Sequence, residues 1–238
     1  MIKNDLKNYI SPLKLNLYLH LINKTCYGYH NLESLMTFCD YGDFISIKEE
    51  KDFSFTIDGP FAKNLSKTEN IILDAVKLLE EYAKFKINVH IKLTKNIPIA
   101  SGMGGGSSNA ATVIHCLKDL FKISIEKNTL DSLLFSLGAD VPFCFFRKTA
   151  IVKGKGENIE FLSSKIPELP VLLINPLIEI STKKIFEGVR LSNQNRVDND
   201  IDFFNSDLFF EGLNNRNNDL EFVAERICPT IKEITSLL

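Results

Sequence analysis

The segment PIASGMGGGSSNAA, Pro98–Ala111, places four glycines between a predicted strand and a predicted helix. Glycine permits positive φ angles and lets the backbone come close to a ligand. The first N–H groups of a helix have no acceptor within the helix, and the helix dipole adds positive potential at the same end. The segment therefore predicts an anion site. Phosphate is the expected anion, and the hydroxyl groups of Ser107 and Ser108 are expected to assist.

The spacing of the glycines excludes two common nucleotide-binding loops. A Walker loop requires a lysine directly after its second glycine, and no lysine follows Gly106. The dinucleotide-binding fingerprint requires a third glycine at the position that Ser107 occupies. A tight turn or a close helix contact remains a purely structural alternative for the glycine cluster.

The hydrophobic pattern on both sides of the loop predicts a protein of the α+β class. Alternating apolar residues predict strands over Lys14–Leu21, Phe53–Ile57 and Ile87–Leu93. Helical spacing predicts helices over Glu69–Tyr82, Ser107–Phe121 and Glu126–Leu137.

The second half of the chain carries fewer clear signals of secondary structure. Val141–Val152 is expected to be rich in β-structure, and the glycines of Lys153–Gly156 suggest a hinge between two halves. Val171–Asn175 has the composition of a buried strand. Helices are expected near Thr182, Ile201 and Asp219.

Composition excludes several classes of protein. The 238 residues are 45% hydrophobic and 24% charged, as in soluble globular proteins. The formal net charge of -2 provides no overall attraction to nucleic acid or to an anionic membrane. No apolar run has the length of a membrane span or of a signal sequence, so we expect a cytoplasmic protein. The five scattered cysteines contain no CxxC pair, so we expect reduced thiols and no metal site.

Four motifs in the same order resemble those of the GHMP small-molecule kinases. Pro98–Ala111 is similar to their nucleotide-binding loop, and Ser11–Leu17 to their N-terminal P-A-K-I/L-N-L strand. Gly28–Leu32 resembles a D-G-Y-H-x-L motif, and Leu137–Pro142 resembles an L-G-A-D-V-P motif. The resemblance implies a two-domain fold. Residues 1–156 would form a domain like ribosomal protein S5, and residues 157–238 a ferredoxin-like domain.

The resemblance also implies an activity, namely the ATP- and Mg²⁺-dependent phosphorylation of a small alcohol. The three consecutive glycines before Ser-Ser-Asn-Ala-Ala resemble one branch of the family. That branch phosphorylates the 2-hydroxyl of a cytidine-diphosphate-linked alcohol in the non-mevalonate route to isoprenoids. A GHMP kinase for homoserine, mevalonate or a sugar is the nearest alternative. No oligomeric state is implied.

The resemblance assigns roles to individual residues. Asp140 matches the catalytic base and Lys14 its electrostatic partner. The residues matched to ATP binding are Pro98, Ile99, Ala100, Ser101, Gly102, Met103, Gly104, Gly105, Gly106, Ser107 and Ser108 of the loop, with Asn70 and Lys95. The residues matched to substrate binding are Asn16, Tyr29, His30 and Phe186. Mg²⁺ needs few protein ligands besides the nucleotide phosphates, and Ser107 or Ser108 could supply one.

The residue types alone leave simpler alternatives open at the same positions. An aspartate beside a helix end is often a turn or capping residue, and a lysine on an alternating strand is often solvated. These alternatives apply to Asp140 and Lys14. Asn70 has the sequence context of a helix N-cap, and Phe186 that of a core residue on a helix.

Members of the family carry a further glycine-rich segment after a C-terminal strand. The sequence ends at Leu238, soon after Cys228–Ile234, without a similar segment. The expectation is a C-terminal domain that lacks its final strands and exposes apolar surface and strand edges. A nucleotide-binding protein without turnover is therefore a second alternative.

Overall fold

The computed structural model describes residues 6–24, 30–63, 65–189, 201–203 and 205–237. In this part of the chain the strands are β1 (Lys7–Lys24), β2 (His30–Glu49), β3 (Ser54–Asp58), β4 (Val89–Thr94), β5 (Ala150–Gly154) and β6 (Asn158–Phe161). The helices are α1 (Ile71–Ala83), α2 (Gly105–Leu120), α3 (Lys127–Leu137), α4 (Val141–Phe146), α5 (Thr182–Gly188), α6 (Ser206–Asn214), α7 (Glu221–Ile227) and α8 (Pro229–Thr235). The predicted α+β class is confirmed.

The chain forms two compact units, each built from two separate parts of the sequence. Unit 1 contains Met1–Lys14 and Phe38–Arg147, and unit 2 contains Leu15–Thr37 and Lys148–Leu238. The divisions fall within β1 and near the middle of β2, because each of these long strands contributes to both units. Compact units need not coincide with family domains, so the domain ranges 1–156 and 157–238 stay a prediction.

Unit 1 places α2 between two partner helices. The C-terminal part of β2 pairs antiparallel with β4, from Phe44 opposite Thr94 to Glu49 opposite Val89. The connection through α1 makes β3 and β4 parallel neighbours, as a crossover helix allows. Helix α2 packs against both α1 and α4. Its small residues, among them the buried Ala110 and Ala111, allow close packing on these neighbours.

The sequence reasons for these elements are local. In α1, the buried residues Ile72, Ala75, Val76 and Leu79 recur at helical spacing. In β4, Val89, Ile91 and Leu93 are buried, whereas the residues between them are half-buried, which is the period of a strand.

Unit 2 has its own strand pairing and its own core. Residues Leu32–Met36 of β2 pair antiparallel with β5, and β5 pairs antiparallel with β6. A core cluster joins Tyr18 and Leu35 to Ile201 and Phe209. The strands of this unit therefore share a core with helix α6, which is far from them in sequence.

Three predictions for the second half were wrong in whole or in part. The stretch Val141–Val152 is only partly β-structure, because Ala150–Val152 lies in β5 but Val141–Phe146 is helix α4. Pro142 lies in the first turn of α4, where its missing N–H costs nothing. Lys153–Gly156 spans the end of β5 and the start of the turn to β6, inside unit 2 rather than at a hinge, and the Gly156 N–H donates to the carbonyl oxygen of Lys153. Val171–Ile174 forms no helix or strand, and its four side chains are 40–75% exposed.

Candidate active site

The glycine-rich loop adopts backbone conformations that favour glycine. The φ angle is +53° at Ala100, +74° at Gly102 and +64° at Gly104. A Cβ atom at Gly102 would meet no other atom within 4 Å, so the loop faces open space at this point. The backbone is therefore accessible to a ligand where it turns.

Gly104 is the N-cap of α2, and a glycine has no side chain that could cap the first N–H groups of the helix. The first bond within the helix runs from the Ser108 N–H to the Gly104 carbonyl oxygen, at 2.8 Å. The N–H groups of Gly105, Gly106 and Ser107 consequently have no acceptor within the helix. Three such donors at the positive end of a 16-residue helix are suited to an oxyanion.

Lys14 and Asp140 form an ion pair, with 3.2 Å between Nζ and Oδ2. The Lys14 side chain is 6% exposed, so the solvated alternative for this lysine is wrong, while that of Asp140 is 38% exposed. Asp140 lies at the N-cap of α4 but makes no side-chain capping bond there. Its carboxylate therefore pairs with the lysine and remains accessible.

The loop contacts Lys14 at both its backbone and its side chain. The Lys14 N–H donates to the carbonyl oxygen of Met103, at 3.0 Å. A Cβ atom at Gly104 would lie 3.2 Å from Lys14 Cε and 3.3 Å from its Cβ, so the glycine packs directly on the lysine stem. The structure thus brings together the glycine loop, Lys14 and Asp140, which the sequence places far apart.

The two loop serines occupy different environments. The Ser108 side chain is fully buried, and its hydroxyl donates to the carbonyl oxygen of Pro12 at 2.7 Å while it accepts from Ser11 at 3.0 Å. Its hydroxyl therefore ties α2 to β1. Ser107 is half-buried, so it is the better candidate for a hydroxyl at a bound phosphate or Mg²⁺.

Lys95 and Asn70 both have partners within the protein. The Lys95 ammonium lies 2.5 Å from Asp43 Oδ2, and both side chains are buried. Burial lowers the pKa of Lys95, and Asp43 opposes that shift. Asn70 caps α1, because its Oδ1 accepts from the Ile72 N–H at 3.0 Å. The capping alternative for Asn70 is thus confirmed, and the adenosine contacts of both residues stay predictions.

Three of the four residues matched to substrate binding, Asn16, His30 and Phe186, lie in unit 2. The rings of His30 and Phe186 are 5.8 Å apart and tilted by 35°. His30 is 7% exposed, and its Nε2 has no hydrogen-bond partner among the residues that the structure describes. Burial and the charge of Lys24 lower its pKa, so the ring is neutral near pH 7. Phe186 is half-buried, so it is not a fully buried core residue.

Of the other two residues matched to substrate binding, Asn16 has a defined hydrogen-bond partner. Asn16 donates through its Nδ2 to the Ser34 hydroxyl at 2.7 Å, and that hydroxyl donates to the carbonyl oxygen of Tyr18. The buried Ser34 therefore orients the Asn16 amide. Tyr29 lies outside the described residues.

Comparison with known proteins identifies the family. Residues 70–148 match the model of the GHMP kinases N terminal domain. The chain is 37% identical over 243 residues to the 4-diphosphocytidyl-2-C-methyl-D-erythritol kinase of Agrobacterium fabrum (strain C58 / ATCC 33970), covering 96% of this chain and 79% of that protein. The chain belongs to the 4-diphosphocytidyl-2-C-methyl-D-erythritol kinase family. Its membership of the GHMP kinases, expected from four motifs, is confirmed.

Two further relatives of this kinase family agree. The kinase of the same name from Chelativorans sp. (strain BNC1) is 41% identical over 182 residues, which are 76% of this chain and 62% of that protein. A crystal structure of 4-(cytidine 5'-diphospho)-2C-methyl-D-erythritol kinase matches with a TM-score of 0.71 and 28% identity. The match covers 96% of this chain and 81% of that one, so the chain has the GHMP kinase fold.

One buried residue of this kinase was missed from the sequence. Asp43 is fully buried and accepts four hydrogen bonds, including those from the N–H groups of Asn96 and Ile97. A signal was present, because Asp43 has the same strand parity as the buried Ile45 and Ile47. A carboxylate on the apolar face of a strand requires partners, and four donors meet that requirement.

Proposed function

We propose that this chain transfers the γ-phosphoryl group of ATP to the 2-hydroxyl of 4-diphosphocytidyl-2-C-methyl-D-erythritol. The relatives described above carry the name of this activity. The observation that supports it most directly is the ion pair of Lys14 and Asp140 beside the glycine loop. A nucleotide-phosphate cradle next to an accessible carboxylate is what phosphoryl transfer to an alcohol needs.

In this mechanism Asp140 accepts the proton of the attacking hydroxyl. The carboxylate is accessible to substrate and makes no capping bond that would engage it. Lys14 lies 3.2 Å from that carboxylate and is held by the loop, so its ammonium stabilises the negative charge of the reacting groups. The N–H groups of Gly105, Gly106 and Ser107 bind phosphate oxygens at the start of α2.

The donor set fits a magnesium nucleotide. Phosphate oxygens suit the backbone N–H groups at the start of α2, and Ser107 offers the half-buried hydroxyl that would hold Mg²⁺. When bound, Mg²⁺ neutralises charge on the phosphates. The other ligands of the ion are expected to be phosphate oxygens and water.

On the substrate side, His30 and Phe186 are proposed to hold the cytosine ring. A neutral histidine whose buried Nε2 has no partner among the described residues can exchange a hydrogen bond with the edge of a base. Phe186 offers an aromatic face near this histidine. Tyr29 is proposed to stack on the same base, and Asn16 to contact the substrate.

The setting of the enzyme is part of the same proposal. We propose a cytoplasmic enzyme that acts on a small molecule and binds neither nucleic acid nor membrane, consistent with its net charge of -2. In the part of the chain that the structure describes, no helix is both long and apolar enough to cross a membrane.

The direct test is ADP release by the 238-residue chain with Mg-ATP and each of three acceptors. Turnover with 4-diphosphocytidyl-2-C-methyl-D-erythritol, and none with homoserine or mevalonate, is the expected result. Turnover with another acceptor alone would replace the proposed substrate. Binding of ATP without turnover on any acceptor would instead support a nucleotide-binding protein without catalysis.

A further inference from the structure

Asp43 joins the two ends of the glycine loop. Its Oδ1 accepts from the N–H groups of Asn96 and Ile97, at 2.7 and 2.8 Å, just before the loop begins. Its Oδ2 accepts from Lys95 Nζ at 2.5 Å and from Asn109 Nδ2 at 2.9 Å. Asn109 lies in the second turn of α2, after the loop. One side chain from β2 therefore bonds to both the entry and the exit of the loop.

Burial makes these bonds strong determinants of geometry. Asp43 is 0% exposed, Lys95 4% and Asn109 2%, so water does not compete for the carboxylate. A buried carboxylate is tolerated only when its oxygens are satisfied, and here each oxygen accepts two bonds. Any shift of the loop ends would break bonds that the interior cannot replace.

The side-chain amide of Asn109 is oriented by its hydrogen bond to Asp43. Its Nδ2 donates to Asp43, while its buried Oδ1 has no hydrogen-bond partner within the described residues. An unsatisfied buried acceptor costs free energy. The amide keeps the orientation that serves Asp43 despite this cost, so the carboxylate sets the rotation of this side chain.

The same cluster touches the first residue of α2. A Cβ atom at Gly105 would lie 3.2 Å from Lys95 Nζ and 3.6 Å from Asp43 Oδ2. The N–H of Gly105 is one of the three that have no acceptor within the helix. A side chain at Gly105 would meet the Asp43–Lys95 pair, so this pair lies close to the backbone that carries the first of these donors.

We infer that Asp43 is a positioning residue for ATP, which holds the glycine loop in its phosphate-binding conformation through Asn96, Ile97 and Asn109. The inference rests on the proposed function, since it takes the loop as the site of the nucleotide phosphates. Asp43 does not touch the nucleotide. It acts by fixing the backbone donors before the nucleotide arrives, which reduces the entropy lost on binding.

The test compares two double variants in one background. Asp43→Asn with Lys95→Met keeps the shape of residue 43 and three of its four hydrogen bonds, because the new amide can accept from the two N–H groups and donate to a reoriented Asn109. Asp43→Ala with Lys95→Met removes all four bonds. Neither variant leaves an unpaired buried charge. Any direct contribution of Lys95 is absent from both, so the Asp43→Asn double variant is the reference for the Asp43→Ala double variant.

The inference predicts a change confined to the nucleotide. Relative to the Asp43→Asn double variant, the Asp43→Ala double variant should raise the KM for ATP by about 10- to 100-fold. The KM for the alcohol should change little in either. Equal KM values for ATP in the two folded double variants would overturn the inference.

Two further measurements keep the test decisive. Hydrogen exchange of the ligand-free chain should be faster over residues 98–108 in the Asp43→Ala double variant only, with α1 as the internal control. This readout stands even if the wild-type chain proves inactive, in which case the proposed function fails alone. If the Asp43→Ala double variant does not fold, Asn109→Ala removes one bond and should raise the KM for ATP by about fivefold. An unchanged KM in a folded Asn109→Ala variant would contradict the inference.

Discussion

The ion pair of Lys14 and Asp140 joins a buried ammonium to a carboxylate that keeps more than a third of its side-chain surface exposed. The two members therefore have different freedom. Lys14 is fixed by the loop, which contacts both its backbone and its stem. Asp140 can meet a hydroxyl group while it stays within reach of the ammonium, which the proposed role of general base requires.

Replacing Asp140 with Asn keeps its volume and removes its ability to take a proton. We expect kcat to fall by about 10²- to 10⁴-fold, the usual contribution of a general base. ATP binding should persist, because the loop donors are unchanged. Steady-state kinetics and ATP titration check the two halves of this prediction. A variant with wild-type kcat would remove Asp140 from the mechanism.

His30 gives the stability of the chain a dependence on pH. Its folded-state pKa lies below the unfolded value because burial and Lys24 disfavour the charged ring. The unfolded state therefore binds a proton first as the pH falls, and the His30 contribution to stability is present above about pH 6.5 and is lost below it. The unfolding midpoint should fall less on acidification in His30→Gln than in the wild type. Parallel pH profiles would show that His30 has no such effect.

At the scale of elements, the junction of the loop with α2 depends on a glycine that serves two purposes. Gly104 has a φ of +64°, and its missing Cβ leaves room for the Lys14 stem. A side chain at this position would be strained by the backbone and would press on the lysine. The start of the helix and the position of the ammonium are therefore coupled.

Gly104→Ala should destabilise the protein by about 1 kcal/mol or more and also lower kcat, because Lys14 must move. Gly106→Ala is the matched control for stability. Its φ is not positive, and the nearest atom to a new Cβ is Ile71 Cγ2 at 3.8 Å. Urea denaturation of both variants measures the difference. Equal midpoints would show that the positive φ at Gly104 carries no strain.

The elements that the sequence predicted well are those with a local cause. Helix α1 follows from Asn70 and the spacing of its apolar residues, and the glycine loop follows from its composition. A continuous apolar run fits a strand and a buried helix equally, so Val141–Phe146 was misassigned. Val171–Ile174 has strand composition, but a strand also requires a pairing partner, which a linear pattern does not reveal.

The same distinction applies to the site. The composition of the loop predicted the anion site, and the resemblance to the family pointed to Lys14 and Asp140. The burial of Lys14, however, depends on chain segments that are distant in sequence. The proposed role of Asp43 depends on four donors, three from the segment directly after β4 and one from α2. Their meeting is a product of the tertiary fold.

At the scale of the whole molecule, unit 2 is stabilised by a core that joins the N-terminal strands to a C-terminal helix. Phe209 is fully buried in this cluster, beside Tyr18 and Leu35. Its neighbour Phe210 is 41% exposed. Substitutions at these two adjacent phenylalanines therefore compare the loss of a buried side chain with the loss of a partly exposed one.

Phe209→Ala should lower the free energy of unfolding of this unit by about 3–5 kcal/mol, the usual cost of emptying a buried aromatic site. Phe210→Ala should cost much less. Denaturant titrations, with hydrogen exchange in α6 and β5 as the probe, measure the loss of unfolding free energy in both variants. Similar losses for the two variants would mean that the cluster is not the main support of unit 2.

The split of β2 between the two units also bears on how the chain is made. A ribosome releases Leu32–Met36 long before it releases Ala150–Gly154, the strand that covers one edge of this segment. At usual elongation rates the delay is roughly ten seconds. Unit 1 ends at Arg147, so it can complete its structure while that strand edge of unit 2 still waits for its partner. The nascent chain thus presents an open β-edge during this interval, and its yield in the cell should depend on chaperones that shield such edges.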